Sequence, residues 1–143
     1  MKIKVLLVDD EQEFVEALAQ RLETRGLSVI SAYSGEEALD RIKNEFVDVV
    51  VLDMVMPGRD GIQTMLEIKE LKPLVEVILL TGQGTLESAV KALEKGAFYY
   101  LFKPTEMKDL LENIANAYKR KTEHEERIRQ AEIKRILFVA AQV

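Results

Sequence analysis

The chain contains no cysteine and a single histidine. Without thiols there are no disulfides, no thiolate metal sites and no cysteine nucleophile. No apolar run approaches the roughly 20 residues that cross a bilayer, and the start "MKIKVLLVDD" holds too short an apolar stretch for a signal-peptide core. A basic excess is also missing: 20 Lys and Arg face 25 Asp and Glu, a formal net charge of −5. That balance gives no support for binding nucleic acid through a strongly basic surface. No internal repeat or low-complexity segment is present. The expectation is a soluble cytoplasmic protein with no membrane and no direct nucleic-acid partner. At 143 residues it suits one domain, whose folding buries about two-thirds of the unfolded chain's surface.

What is present is an alternation. Residues 2–8 are a compact apolar run, and residues 11–25 carry Phe14, Val15, Leu18 and Leu22 at helical spacing, closed by Gly26. A short strand over 27–31 precedes Ser34-Gly-Glu-Glu37, whose capping-box spacing opens a helix to about residue 44. "FVDVVVL" (46–52) is a buried β-branched strand, and "MPGRDG" is a turn. A helix over 61–71, a strand over 75–80, the loop "TGQGT" and a Thr85-capped helix over 86–95 follow. A fifth strand spans 98–102, with helix from 106 onward. Five short apolar strands alternating with helices predict a doubly wound parallel α/β sheet covered on both faces.

In an open α/β sheet, ligands bind beyond the carboxyl ends of the strands, near the switch in strand order. The chain places Asp9 and Asp10 after strand one, Asp53 after strand three, Thr81 at the end of strand four and Lys103 after strand five. Strand two ends in Ser31-Ala32, with nothing comparable, which fits an edge position. Each residue has a structural explanation: Asp10 as an N-cap, Asp53 as a turn acceptor, Thr81 as a partner for a loop amide, Lys103 as surface charge. Together they read as chemistry. Three carboxylates favour a hard divalent cation with oxygen ligands, and Mg²⁺ keeps waters that leave room for phosphate. An aspartate can attack phosphorus to form an acyl phosphate, and a lysine and a hydroxyl suit the phosphoryl oxygens.

These residues resemble the receiver domain of two-component response regulators. The resemblance rests on "VDDE" (8–11), "LDMVMPGRDG" (52–61), "LLTGQG" (79–84) and "YYLFKP" (99–104), and covers residues 2–118. It implies a five-stranded sheet in the order 2-1-3-4-5, an order the general rule already illustrates with a receiver protein. It implies Asp53 as phosphoacceptor, with Mg²⁺ held by Asp10 directly, by Asp9 partly through water, by Asp53 and by the main-chain carbonyl of Val55. Thr81 and Lys103 take the phosphate contacts, Lys103-Pro104 the family's cis peptide, and Tyr100 the switch aromatic that follows the Thr81 hydroxyl inward. Gly82 leaves space beside the acyl phosphate, while Val55 and Gln83 stand where the family sets its hydrolysis rate. Implied partners are a histidine kinase or phosphotransfer protein, and a second copy through helix four, strand five and helix five.

Other readings fit less well. Haloacid-dehalogenase phosphatases carry D-x-D after the first strand, whereas this chain has Asp9-Asp10-Glu11, and Val55 follows Asp53 at two residues. The dinucleotide fingerprint fails because Glu87 stands where the third glycine belongs. A non-phosphorylated interaction module conflicts with the complete acidic set. His124, in the charged run "KRKTEHEER", lacks a four-helix context and reads as a solvated side chain rather than a phosphotransfer histidine. Residues 119–127 read as a solvated helical extension. The apolar residues after them either form a dimer through the C-terminal helix or lead into an effector domain absent from this chain. Ile128, Ile133, Ile136 and Leu137 do not sustain a heptad.

Overall fold

The computed structural model describes residues 2–143. Its core strands are β1 (Lys4–Val8), β2 (Ser28–Ala32), β3 (Val49–Leu52), β6 (Glu76–Thr81) and β7 (Tyr99–Phe102), all parallel in the order β2-β1-β3-β6-β7. This is the expected flavodoxin-like order, with β2 at one edge. The helices are α1 (Gln12–Glu23), α2 (Gly35–Asn44), α3 (Gly61–Leu71), α4 (Leu86–Glu94) and α5 (Met107–Ala140).

The side-chain alternation of a strand divides the core in two. Leu6 and Val8 of β1, Val50 and Leu52 of β3, and Val77 and Leu79 of β6 pack with α2, α3 and α4 through Ala38, Ile42, Met65, Ile68, Ala89 and Ala92. Val5 and Leu7, Val49 and Val51, and Ile78 and Leu80 point the other way, against Val15, Leu18 and Leu22 of α1 and Leu110, Ile114 and Ala117 of α5. Because β1, β3 and β6 are buried on both faces, they read as continuous apolar runs.

Two caps follow the sequence reading. Ser34 Oγ accepts the Glu37 N–H at 3.1 Å, and Thr85 closes a reciprocal box with Ser88 over α4. Asp10 departs from it. The N-cap of α1 is Glu11, without a side-chain cap bond, and Asp9 Oδ1 accepts the Glu11 N–H at 2.9 Å. The buried carboxylate does the local turn-stabilising, which leaves the exposed Asp10 side chain uncommitted. The "MPGRDG" turn is tighter than a plain loop: β4 (Val55–Met56) and β5 (Arg59–Asp60) pair antiparallel.

Helix α5 continues through the charged run, most of which is exposed, with Lys121 as the buried exception. It runs unbroken for 34 residues, about 51 Å at the α-helical rise. Lys121, in the charged run, is 4% exposed. Its ammonium donates to Asp48 at 3.1 Å and Glu125 at 3.2 Å, and sits 5.0 Å from the Phe46 ring centre. Helical periodicity places Lys121 one turn after Ala117 on the packed face, and charge alone could not reveal that position's buried partner. Beyond it, Ile128, Ile133, Ile136, Leu137, Phe138 and Val139 are all exposed.

Candidate functional site at the carboxyl end of the sheet

The sheet order sets β1 between β2 and β3, so the chain ends leaving β1, β3, β6 and β7 converge on one side. Asp9 leaves β1 with its N–H on the Ala32 carbonyl at 3.2 Å, and Asp53 leaves β3 with its N–H on Val8 at 2.9 Å. These backbone bonds extend the ladder one step and aim the carboxylates past the sheet edge. Gly61 holds Asp53 from the other side. A Cβ there would meet the Met54 Cα at 2.5 Å and the Asp53 carbonyl at 2.7 Å, so only glycine lets the start of α3 press this close.

Asp9, Asp10 and Asp53 each offer a carboxylate oxygen, all within 4.8 Å of one another. Asp9 is 2% exposed and Asp53 6%, while Asp10 faces solvent. Lys103 donates to Asp9 at 2.5 Å and to Glu11 at 3.4 Å, with its ammonium 4.1 Å from the centre of the Phe14 ring. Thr81 is fully buried, and its Oγ1 accepts the Gln83 N–H at 3.3 Å. Asp53 Oδ1 accepts the Val55 N–H at 3.3 Å. An open cleft of about 450 Å³ is lined by Asp10, Asp53, Val55, Thr81, Gly82 and Lys103, among others. A Cβ on Gly82 would meet only the Lys103 stem, at 3.8 Å, so this glycine widens the cleft rather than fitting a protein neighbour. The Lys103–Pro104 peptide is cis.

Burial, and then the charge of Asp9, push the Asp53 carboxyl above its ordinary pKa, against the opposing pull of Thr81, the Val55 N–H and Lys103. For Lys103, burial works to lower the pKa, but the hydrogen bond and charge of Asp9, with Asp53 and Glu11, carry it above the ordinary value. One ammonium thus serves a cluster of three carboxylates, and the site has spare negative charge. That donor set fits a hard divalent cation: all-oxygen, carboxylate-rich, and close to the span of about 4.2 Å across an octahedral Mg²⁺ shell.

Tyr100 of β7 is 6% exposed. Its hydroxyl lies 3.1 Å from Ser88 Oγ and 3.2 Å from Met54 Sδ, beside Asp53 in the chain. The structure therefore brings together Asp9, Asp10, Asp53, Val55, Thr81 and Lys103, with Tyr100 reaching in through Met54. Sequence reasoning missed Glu11, Phe14, Met54 and Ser88. Glu11 and Met54 lay inside quoted motifs without a role of their own, and Ser88 stood three residues after Thr85 at capping-box spacing, with nothing local to tie it to Tyr100.

The response regulator receiver domain model matches residues 5–115. The chain belongs to that family. It is 38% identical over 116 residues to the transcriptional regulatory protein ZraR of Salmonella typhimurium, covering 81% of this chain and 26% of ZraR. It thus spans about a quarter of the length of ZraR and of the transcriptional regulatory protein GlrR of Escherichia coli. A receiver domain from Clostridium thermocellum superposes with a TM-score of 0.79 at 40% identity, covering 84% of this chain and 97% of that one. A response regulator of Burkholderia pseudomallei, solved with a phosphorylated aspartic acid, a calcium ion and citrate, gives 0.75 at 26% identity, covering 99% and 88%. The family is the receiver domain of two-component response regulators. Among the described residues no helix is long and apolar enough to cross a membrane.

Proposed function

We propose that this receiver is a Mg²⁺-dependent phosphoacceptor switch in which Asp53 takes a phosphoryl group from a histidine kinase or phosphotransfer protein. The observation that carries the reading is the carboxylate cluster, short of positive charge, opening on a cleft with Thr81 and Lys103 on its wall. An Asp53 carboxylate oxygen forms a bond to phosphorus as the phosphorus–nitrogen bond of the donor phosphoimidazole breaks. The imidazole leaves with that electron pair and takes up a proton, giving an acyl phosphate on Asp53.

Asp9, Asp10, Asp53 and the Val55 carbonyl would hold the cation. When bound, Mg²⁺ supplies charge neutralisation between the carboxylates and the phosphoryl oxygens. The chain's own residues do the rest. Lys103, fixed by Asp9 and Glu11, stabilises negative charge on the transferring group. Thr81 supplies a hydroxyl donor to a phosphoryl oxygen. Tyr100 follows Thr81, and the face of α4, β7 and α5 changes its partners. The phosphoryl group drives this only in so far as it binds one arrangement better than the other. The Burkholderia relative's phosphorylated aspartic acid and calcium ion support the same chemistry here.

Loss of the phosphoryl group is slow self-chemistry, not turnover of a substrate. Residues 1–118 form the receiver, and 119–143 a helical extension that pairs with a second copy or leads to an effector domain.

The test is intact-mass analysis after acetyl phosphate and Mg²⁺. The wild type gains one phosphoryl adduct and Asp53→Asn gains none. No adduct on the wild type, with acetyl phosphate or with its kinase, overturns the reading. An adduct retained by Asp53→Asn moves the site elsewhere.

A further inference from the structure

The Ser88 hydroxyl has a complete set of partners. It donates to the Thr85 carbonyl at 2.9 Å, accepts the Thr85 N–H at 2.9 Å, and lies 3.1 Å from the Tyr100 hydroxyl. A serine oxygen has one proton and two lone pairs. With the proton on Thr85 and one lone pair filled, the remaining lone pair faces the Tyr100 hydroxyl, whose single proton is shared between Ser88 Oγ and Met54 Sδ. Tyr100 is therefore the donor, and Ser88 joins the inward ring to the first turn of α4.

The seat exists because residue 84 is glycine. A Cβ at that position would stand 2.1 Å from the Tyr100 hydroxyl and 2.9 Å from Phe102 Cε1. Met54 closes the far side, with Sδ 3.2 Å from the same hydroxyl. Glycine, serine and methionine thus form a fitted receptacle for an inward tyrosine. Ser88 is its only part that also belongs to the α4 cap. Next to that cap, Leu86, Val90 and Leu93 are exposed, so a change at the first turn is presented directly to solvent.

We propose that Ser88 is a positioning residue of the switch: by accepting the Tyr100 hydroxyl while closing the Thr85 box, it holds Tyr100 inward and ties its rotation to the N-terminus of α4. This rests on reading Tyr100 as the moving side chain. It adds a residue outside the phosphate contacts and outside the Thr81 route. Outward rotation of Tyr100 breaks the bond to Ser88 and leaves the Ser88 hydroxyl with two partners instead of three.

The experiment follows the Tyr100 ring by ¹³C aromatic NMR in the full chain without any phosphoryl group, with the signal assigned through Tyr100→Phe. Gly84→Ala, which fills the seat, supplies the outward reference. Ser88→Ala lowers the inward-to-outward ratio by roughly five-fold, the factor expected for one net hydrogen bond, and Ser88→Thr restores it. Thr85→Ala weakens the cap equally but leaves Tyr100 in place. An unmoved Tyr100 signal in Ser88→Ala, or an equal shift in Thr85→Ala, overturns the proposal by showing a cap and nothing more. A second arm titrates beryllofluoride with Mg²⁺. Ser88→Ala weakens apparent binding by about the same roughly five-fold factor, and the effects of Ser88→Ala and Tyr100→Phe do not add. Equal binding by wild type and Ser88→Ala, or strictly additive effects, overturns the coupling. A wild type that neither binds beryllofluoride nor accepts phosphoryl defeats the phosphoacceptor reading, and the first arm still decides Ser88.

Discussion

The two ends of the sheet hold similar carboxylates in opposite electrostatic states. Asp48 precedes β3 and Asp53 follows it; Glu76 begins β6 and Thr81 ends it. Asp48, Glu76, Asp9 and Asp53 are all 6% exposed or less. At the amino end every charge is answered. Glu76 is bridged by Arg120 and by Lys69, and Asp48 accepts the Lys121 ammonium at 3.1 Å and the Lys4 N–H at 2.8 Å. Burial pushes the Glu76 carboxyl up, but the hydrogen bond from Arg120 and the charge of Lys69 overcome it and leave its pKa below the ordinary value. At the carboxyl end one lysine serves three aspartates, and Asp53 moves upward. Burial alone therefore does not distinguish a structural carboxylate from a chemical one. What distinguishes them is whether the protein supplies enough positive partners of its own.

The largest effect separating the two ends is on the phosphoryl adduct. Asp53→Asn abolishes it in intact-mass analysis, whereas Glu76→Gln, at the other end of the sheet, retains it.

Next comes stability. Lys121→Ala removes the only cation paired with the buried Asp48 among the described residues, leaving it the Lys4 N–H alone, and costs about 3 kcal/mol, roughly 10 °C in melting temperature for a domain of this size. Removal of residues 128–143 leaves the clamp intact and changes the melting temperature little. If Lys121→Ala melts like the wild type, the amino end is not held by its ion pairs.

The pH dependence is smaller and has a definite sign. The folded pKa of Glu76 lies below its unfolded value, near 4.5. Its stabilisation is full above that value and is lost as pH falls through the folded pKa. The stability gap between wild type and Glu76→Gln, measured by urea unfolding, therefore persists at neutral pH and closes below about 4.5. A gap independent of pH would assign the effect to packing.

The smallest effect sharpens the contrast from the other side. Asp53 is held above its unfolded pKa, so its charged form opposes folding at neutral pH. In chelator-treated buffer Asp53→Asn melts slightly higher than the wild type. Adding Mg²⁺ raises the wild type more than the variant, because only binding to the folded state stabilises it. A wild type indifferent to Mg²⁺ would remove the cation from the site.

Local and periodic signals carried much of this in the chain itself. The apolar runs of β1, β3 and β6 name strands buried on both faces. Ser34 and Thr85 mark helix starts through bonds that span three residues, and Asp9, Asp10, Asp53, Thr81 and Lys103 each fall where a strand ends. Those features are legible because their causes lie within a few residues. The same reasoning failed for Asp10, since Asp9 and Asp10 are equally able to turn the chain and only their burial separates them. It failed for Lys121, where helical spacing shows the face but not Asp48, 73 residues away.

By itself, then, the sequence determined the alternation of strand and helix, the two-sided burial of the central strands, and which strand ends carry reactive groups. The tertiary structure decided which carboxylates receive cations: Lys121 and Arg120 reach Asp48 and Glu76 at one end, while Lys103 is alone among three aspartates at the other. It also set Tyr100 against Ser88 and Met54. Electrostatic balance is a sum over neighbours in space, and the parallel crossovers bring those neighbours from far apart in the chain.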